Sequence, residues 1–170
     1  MVEVPPASLS KFGGSKFSVV EQAGPHVWFL ILNAKEGPFA NKKVRQAANY
    51  AINKQAIVND VLEGTAAIAA GPTPPAFAWA YNNSLQPYPY DPAKAKALIK
   101  EAGVEGAKLT FYVTEGGSGM LDPVAMGTAI QADLKAVGFD VEIKTFEWNS
   151  FLGEVNPGLE GKADMAEMAW

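Results

Sequence analysis

Residues Pro38 to Gly64, PFANKKVRQAANYAINKQAIVNDVLEG, decide how this chain is built. Val44, Ala47, Ala48, Ala51 and Ile52 recur at helical spacing and form one narrow apolar stripe. Asn41 precedes that stripe, where its side-chain oxygen can accept from the free N–H groups of the first turn. Asn53 repeats the arrangement for a second helix with Ile57, Val58, Val61 and Leu62 on its buried side. Gly64 stands where a left-handed closing residue is wanted. The alanines of the first stripe allow close approach to a flat partner, and the run Val27-Trp28-Phe29-Leu30-Ile31-Leu32 just upstream is the expected one. That run is apolar on both faces, which predicts a strand covered on each side.

Working outward, Lys16 to Glu21 alternates in the manner of an edge strand, so residues 1–25 read as an opening segment ending in such a strand. Residues 26–64 carry the apolar strand and the helix pair. Residues 65–90 change character: Pro72, Pro74, Pro75, Pro87 and Pro89 remove backbone donors and bar the helical region to their predecessors. Phe77, Trp79, Tyr81, Tyr88 and Tyr90 predict a loop packed over the core.

Residues 91–170 repeat a strand–helix pattern. Asp91-Pro92 opens a helix whose stripe is Ala95, Leu98, Ile99 and Ala102; Asp122-Pro123 opens another with Met126, Ile130, Leu134 and Val137. Lys108–Thr114 and Phe139–Phe146 alternate as strands, Trp148–Val155 suits a short helix, and Ala163–Trp170 reads as an inner strand. The expected fold is α/β, a mixed sheet flanked by helices.

Composition sets outer bounds. The 170 residues are 48% apolar and 19% charged, an ordinary globular balance with one domain's length. A net charge of -4 without a basic block argues against nucleic acid as a partner. There is no cysteine, hence no disulfide framework and no thiolate metal site. No apolar run reaches the length of a membrane span, so no membrane insertion is expected. The stretch Met1 to Pro6 has neither the basic nor the apolar part of a secretion signal.

Three features carry possible chemistry. His26 has no neighbouring serine or acid in sequence that marks it as a base, and a small hydrolase would need a serine brought beside it. Arg45, alone of its type, could clamp a carboxylate or make a structural ion pair. Glu115-Gly116-Gly117-Ser118-Gly119 follows a strand and precedes a helix, but it lacks the lysine of a phosphate loop. Its place beyond the carboxyl end of a strand makes it a candidate cleft loop. No cofactor and no metal are expected.

The strings Phe29-Leu30-Ile31-Leu32-Asn33, Pro38-Phe39, Lys43-Val44-Arg45-Gln46-Ala47, Tyr50-Ala51-Ile52-Asn53-Lys54 and Tyr90 through Gly103 resemble the extracellular solute-binding proteins, family 5, of peptide and nickel ABC importers. The resemblance implies one lobe of a two-lobed periplasmic-binding-protein fold of type II, corresponding over residues 1–170 to part of the second lobe. It implies a non-catalytic protein that closes on a peptide or similar small solute against a first lobe. The parent would be periplasmic or extracellular and would hand its solute to an ABC membrane permease. Trp170 matches a tryptophan that lines the solute pocket in peptide-binding members, with Ala169 replacing the family's glycine. Gly119 stands where some dipeptide binders place an arginine. The candidate ligand-binding residues are Thr114, Glu115, Gly116, Gly117, Trp148 and Trp170. A stand-alone interaction module, self-associating through an exposed lobe face, is the alternative.

Overall fold

The computed structural model describes residues 4–13, 16–20, 22, 24–117 and 119–169. Its strands are β1 (Trp28–Leu32), β2 (Lys108–Thr114), β3 (Asp140–Phe146) and β4 (Met165–Ala169). They form one sheet in the order β1-β4-β2-β3, with β2, β3 and β4 parallel and β1 antiparallel to β4. The helices are α1 (Lys42–Ala51), α2 (Lys54–Ala56), α3 (Pro92–Glu101), α4 (Pro123–Ala136) and α5 (Trp148–Val155). The α/β expectation is met, with a mixed sheet and β4 at its interior.

Local chemistry starts the helices where the sequence puts it. Asn41 accepts from the Lys43 N–H at 2.9 Å and Asn53 from the Ala56 N–H at 3.1 Å. Asp91 and Asp122 do the same for α3 and α4, each followed by proline at the first helical position. The second helix of the pair is shorter than its stripe predicts. After Ala56 it widens into a π-helical turn, Ile57–Val61, with the Leu62 N–H reaching the Ile57 carbonyl at 3.0 Å. Asp133 of α4 accepts the Asn53 N–H at 2.8 Å, which ties this joint to the next layer.

Two apolar clusters sit on opposite faces of the sheet. The larger gathers Phe39, the α1 stripe, Ala95 and Ile99 of α3, Met126, Ile130 and Leu134 of α4, and Leu109, Phe111 and Val113 of β2. The smaller joins Tyr112, Ala166 and Met168 to Phe151 and Val155 of α5. Gly127 lets α4 approach β2, since a β-carbon there would stand 2.7 Å from Val113 Cγ2.

Four expectations need correction. First, α1 packs chiefly on α3, not on the strand before it; Ala95, fully buried, offers a surface as smooth as the alanine stripe itself. Second, β1 meets a cluster on each face as expected, but at the sheet edge all five of its residues are only half-buried. Third, Lys16–Val20 adopts no strand and is exposed, its alternation having no ladder to join; Glu21 lies outside the described residues. Fourth, residues 65–90 form an irregular loop as predicted, but Phe77, Trp79, Tyr88 and Tyr90 are exposed, with Tyr81 half-buried and Pro74 buried.

Candidate functional site

The chain leaves β2 toward α4 on the face of the larger cluster and leaves β3 toward α5 on the other face. Loops departing adjacent parallel strands in opposite directions open a crevice at their carboxyl ends, where ligands bind in open α/β sheets. Here Thr114 closes β2, and Phe146, Glu147 and Trp148 lead from β3 into α5.

Thr114 is fully buried, and its hydroxyl shapes the loop that follows. The Oγ1–H donates to the Gly116 carbonyl at 2.6 Å, while Oγ1 accepts from the Gly116 N–H at 3.4 Å. The Glu115 N–H extends the β-ladder by one bond, to the Phe146 carbonyl at 2.9 Å, and its side chain points to solvent. Gly117 abuts the indole of Trp148. A β-carbon at Gly117 would stand 2.7 Å from Cζ3 and 2.8 Å from Cε3 of that ring, so only glycine fits without movement.

Trp148 is held from behind. Its ring stacks on Phe151 at 6.0 Å between centroids and 15° between planes. Glu147 caps α5 by accepting from Asn149 N–H at 2.9 Å and Ser150 N–H at 3.3 Å, which fixes the helix start that carries the indole. The result is a half-buried aromatic platform beside a glycine-lined loop. Of the sequence candidates, Thr114, Gly116, Gly117 and Trp148 come together, Glu115 stands at the rim, and Trp170 lies outside the described residues.

His26 is exposed, and its ring lies against Gly119, where a β-carbon would come within 2.6 Å of Cγ. Among the described residues Arg45 makes no ion pair: its Nη1 donates to the Phe39 and Ala40 carbonyls at 2.7 and 2.9 Å, locking the turn before α1. A groove of about 730 Å3 lies elsewhere, between α4 and β3, edged by Lys135, Asp140 and Glu142. Its polar rim faces solvent, and Gln131 already closes on the Val141 carbonyl at 2.8 Å, so no buried polar group converges there.

Sequence reading passed over one residue of this region. Glu167, in the middle of the otherwise apolar run MAEMA, is fully buried. Its Oε1 accepts from the Thr114 N–H at 3.3 Å, and Oε2 has no partner among the described residues. Burial pushes its carboxyl up to about 8, the Thr114 N–H pulling it down in part and the nearby Asp122 carboxylate adding to the rise. The signal was available, as a charged residue in a strand predicted to be internal.

A single α/β lobe with an open wall at its strand ends is the architecture of one half of a periplasmic binding protein. Residues 1–170 match the family described as bacterial extracellular solute-binding proteins, family 5 Middle, and the chain belongs to that family. It is 37% identical over 153 residues to heme-binding protein A of Haemophilus influenzae, a match covering 86% of this chain and 28% of that protein. It is 36% identical over 169 residues to the dipeptide-binding protein of Escherichia coli, covering 97% of this chain and 31% of that one. Among solved structures, the periplasmic binding protein DppA from Helicobacter pylori, in complex with the peptide STSA, superposes with a TM-score of 0.86 at 32% identity. That superposition covers 98% of this chain and 31% of the other. The chain thus spans under a third of the length of each of these relatives.

Proposed function

We propose that residues 1–170 are part of the second, ligand-recognition lobe of a solute-binding protein serving an ABC importer. In this reading the lobe is non-catalytic, works outside the cytoplasmic membrane, and supplies one wall of a cleft that closes on a peptide or similar small solute. The observation that carries it is the meeting of the β2 and β3 exit loops at Gly117 and Trp148, in a fold whose relative holds a peptide. A flat indole beside exposed loop backbone suits an extended ligand: the ring takes an apolar side chain and the backbone takes amide groups. A first lobe, supplied by the remaining length of such a protein, closes the other side, and ligand bridging both walls populates the closed state.

Calorimetric titration of this chain with short peptides and with nickel chelates, alone and beside a complementary first lobe, tests the reading. Binding is expected only with both lobes present, and it should weaken in Trp148→Ala. Equal affinity without the first lobe overturns it.

A second reading, a stand-alone module that binds protein through its open surface, is favoured by the exposed Phe77, Trp79 and Phe17. Light scattering against concentration separates the two. Under the lobe reading the chain stays monomeric.

A further inference from the structure

The ladder between β2 and β4 is short. It pairs Phe111 with Met165 and Tyr112 with Ala166, whereas β2 and β3 pair along all of β2 from Lys108 to Thr114. On either side of the short ladder, N–H groups of β2 that point toward β4 go to carboxyl side chains instead of to strand carbonyls. Thr110 N–H donates to Asp164 Oδ2 at 2.8 Å, and Thr114 N–H donates to Glu167 Oε1 at 3.3 Å. The two bonds bracket the paired stretch, and the Glu167 bond lies on the side where β4 parts from β2. Asp164 sits at the half-buried entrance to β4, but Glu167 is fully enclosed, a place where an acid is costly unless it is needed.

We propose that Glu167 is a positioning residue for the candidate wall: its carboxyl replaces the ladder bond lost as β4 diverges, and so holds the end of β2 that carries Thr114, Gly116 and Gly117. An apolar residue of similar length would pack as well but would leave a buried N–H without a partner at the root of the loop. The register adds a second polar group on the same face. Glu167 lies opposite Leu30 and Ala169 opposite Trp28, so Trp28 and Glu167 are diagonal neighbours, and Trp28 Nε1 is itself buried without a partner among the described residues. From the loop before α4, Asp122 is the charged group that faces the carboxyl. Burial keeps Glu167 largely protonated at neutral pH, with Oε1 still an acceptor. Ionisation above about 8 sets a second negative charge near Asp122 and must register at the bonded Thr114 amide.

The consequence for ligand binding rests on the cleft-wall reading, but the bond is tested on the chain alone. Amide NMR of the wild-type chain from about pH 5 to about pH 9 should show the Thr114 N–H shift titrating with a midpoint near 8. Glu167→Gln, which keeps an acceptor oxygen, should abolish that titration and leave hydrogen exchange at Thr114–Gly117 close to wild type. Glu167→Leu should speed exchange there at least about tenfold while Val141 and Ile143 of β3 stay protected. A Thr114 amide that does not titrate, or unchanged exchange in Glu167→Leu, overturns the proposal. Should Glu167→Leu not fold, the titration in wild type against Glu167→Gln decides alone. Absent solute binding with an intact Thr114 titration counts against the wall reading and leaves this one standing.

Discussion

The two faces of the sheet are built to different standards. One is sealed under α3 and α4, with α1 lying against α3, and its cluster includes Phe39, Phe111, Leu134 and Met165, none with any exposed surface. The other is covered, among the described residues, by α5, and its margin runs out through half-buried Phe29, Ile31, Phe146, Trp148 and Leu152. The sealed face supplies stability. The thin face, where it meets the strand ends, leaves aromatic surface and loop backbone open.

One kind of substitution, made on both faces, separates them most clearly. Leu134→Ala, at a site with no exposure, should cost about 4 kcal/mol through lost burial and a cavity that rigid neighbours cannot fill. Leu152→Ala, half-buried on the thin face, should cost about 1 kcal/mol because solvent already reaches it. Urea denaturation measures both. Equal losses would mean that the second face is as closed as the first.

Next in size is a pH effect that belongs to the boundary between the faces. Glu167 has a folded-state value raised from 4.5 to about 8, so between these limits the folded chain binds more protons than the unfolded one. Stability from this group is therefore complete in acid and declines as pH rises, by at most about 1.4 kcal/mol per pH unit. Allowing for relaxation around the new charge, the total is on the order of 3 kcal/mol between about pH 5 and about pH 8. Glu167→Gln should flatten the profile. Stability of the wild type that rises across that window would contradict the burial of this acid.

Two glycines sharpen the contrast at smaller scale. Alanine at Gly127 gains up to about 1 kcal/mol of helix propensity. It also drives a β-carbon to 2.7 Å from Val113 Cγ2 in the sealed core, and Val113 is stiff and fully buried. The clash should win, for a net loss of about 2 kcal/mol. Alanine at Gly117 meets the edge of the half-buried Trp148, a side chain less confined than fully buried Val113. Its stability loss should stay under about 1 kcal/mol, with a visible change in tryptophan emission.

Local features were legible and non-local ones were not. Caps at Asn41, Asn53, Asp91 and Asp122 depend on a few consecutive residues, and all four form as read. The stripes of α1, α3 and α4 follow from the same short-range periodicity. The alanine stripe of α1 called for a smooth partner, but nothing local distinguished the adjacent strand from a helix fifty residues on. The apolar faces of β1 were visible while its place at the edge was not, since strand order is set by the crossovers through α4 and α5. At the site, the loop Thr114–Gly117 could be placed beyond a strand, and Trp148 at a helix start. That Gly117 lies on Trp148, and that Glu167 reaches Thr114, are facts of tertiary packing.

The smallest expected effect lies in the Pro-rich loop, where aromatic content suggested packing and the chain shows exposure. Trp79 is 89% exposed, so its indole contributes almost no burial to this fold. Tyr88 does better, meeting the Tyr50 ring edge-on at 5.1 Å, with Lys94 Nζ over Tyr50 at 4.3 Å. Trp79→Ser should therefore change stability by less than about 0.5 kcal/mol, the range of surface substitutions away from caps and cores. Urea denaturation at low protein concentration isolates the effect from any association through the exposed ring. A loss above about 1 kcal/mol would mean that the loop folds back on the thin face in solution, and the two faces would then differ less than their exposures indicate.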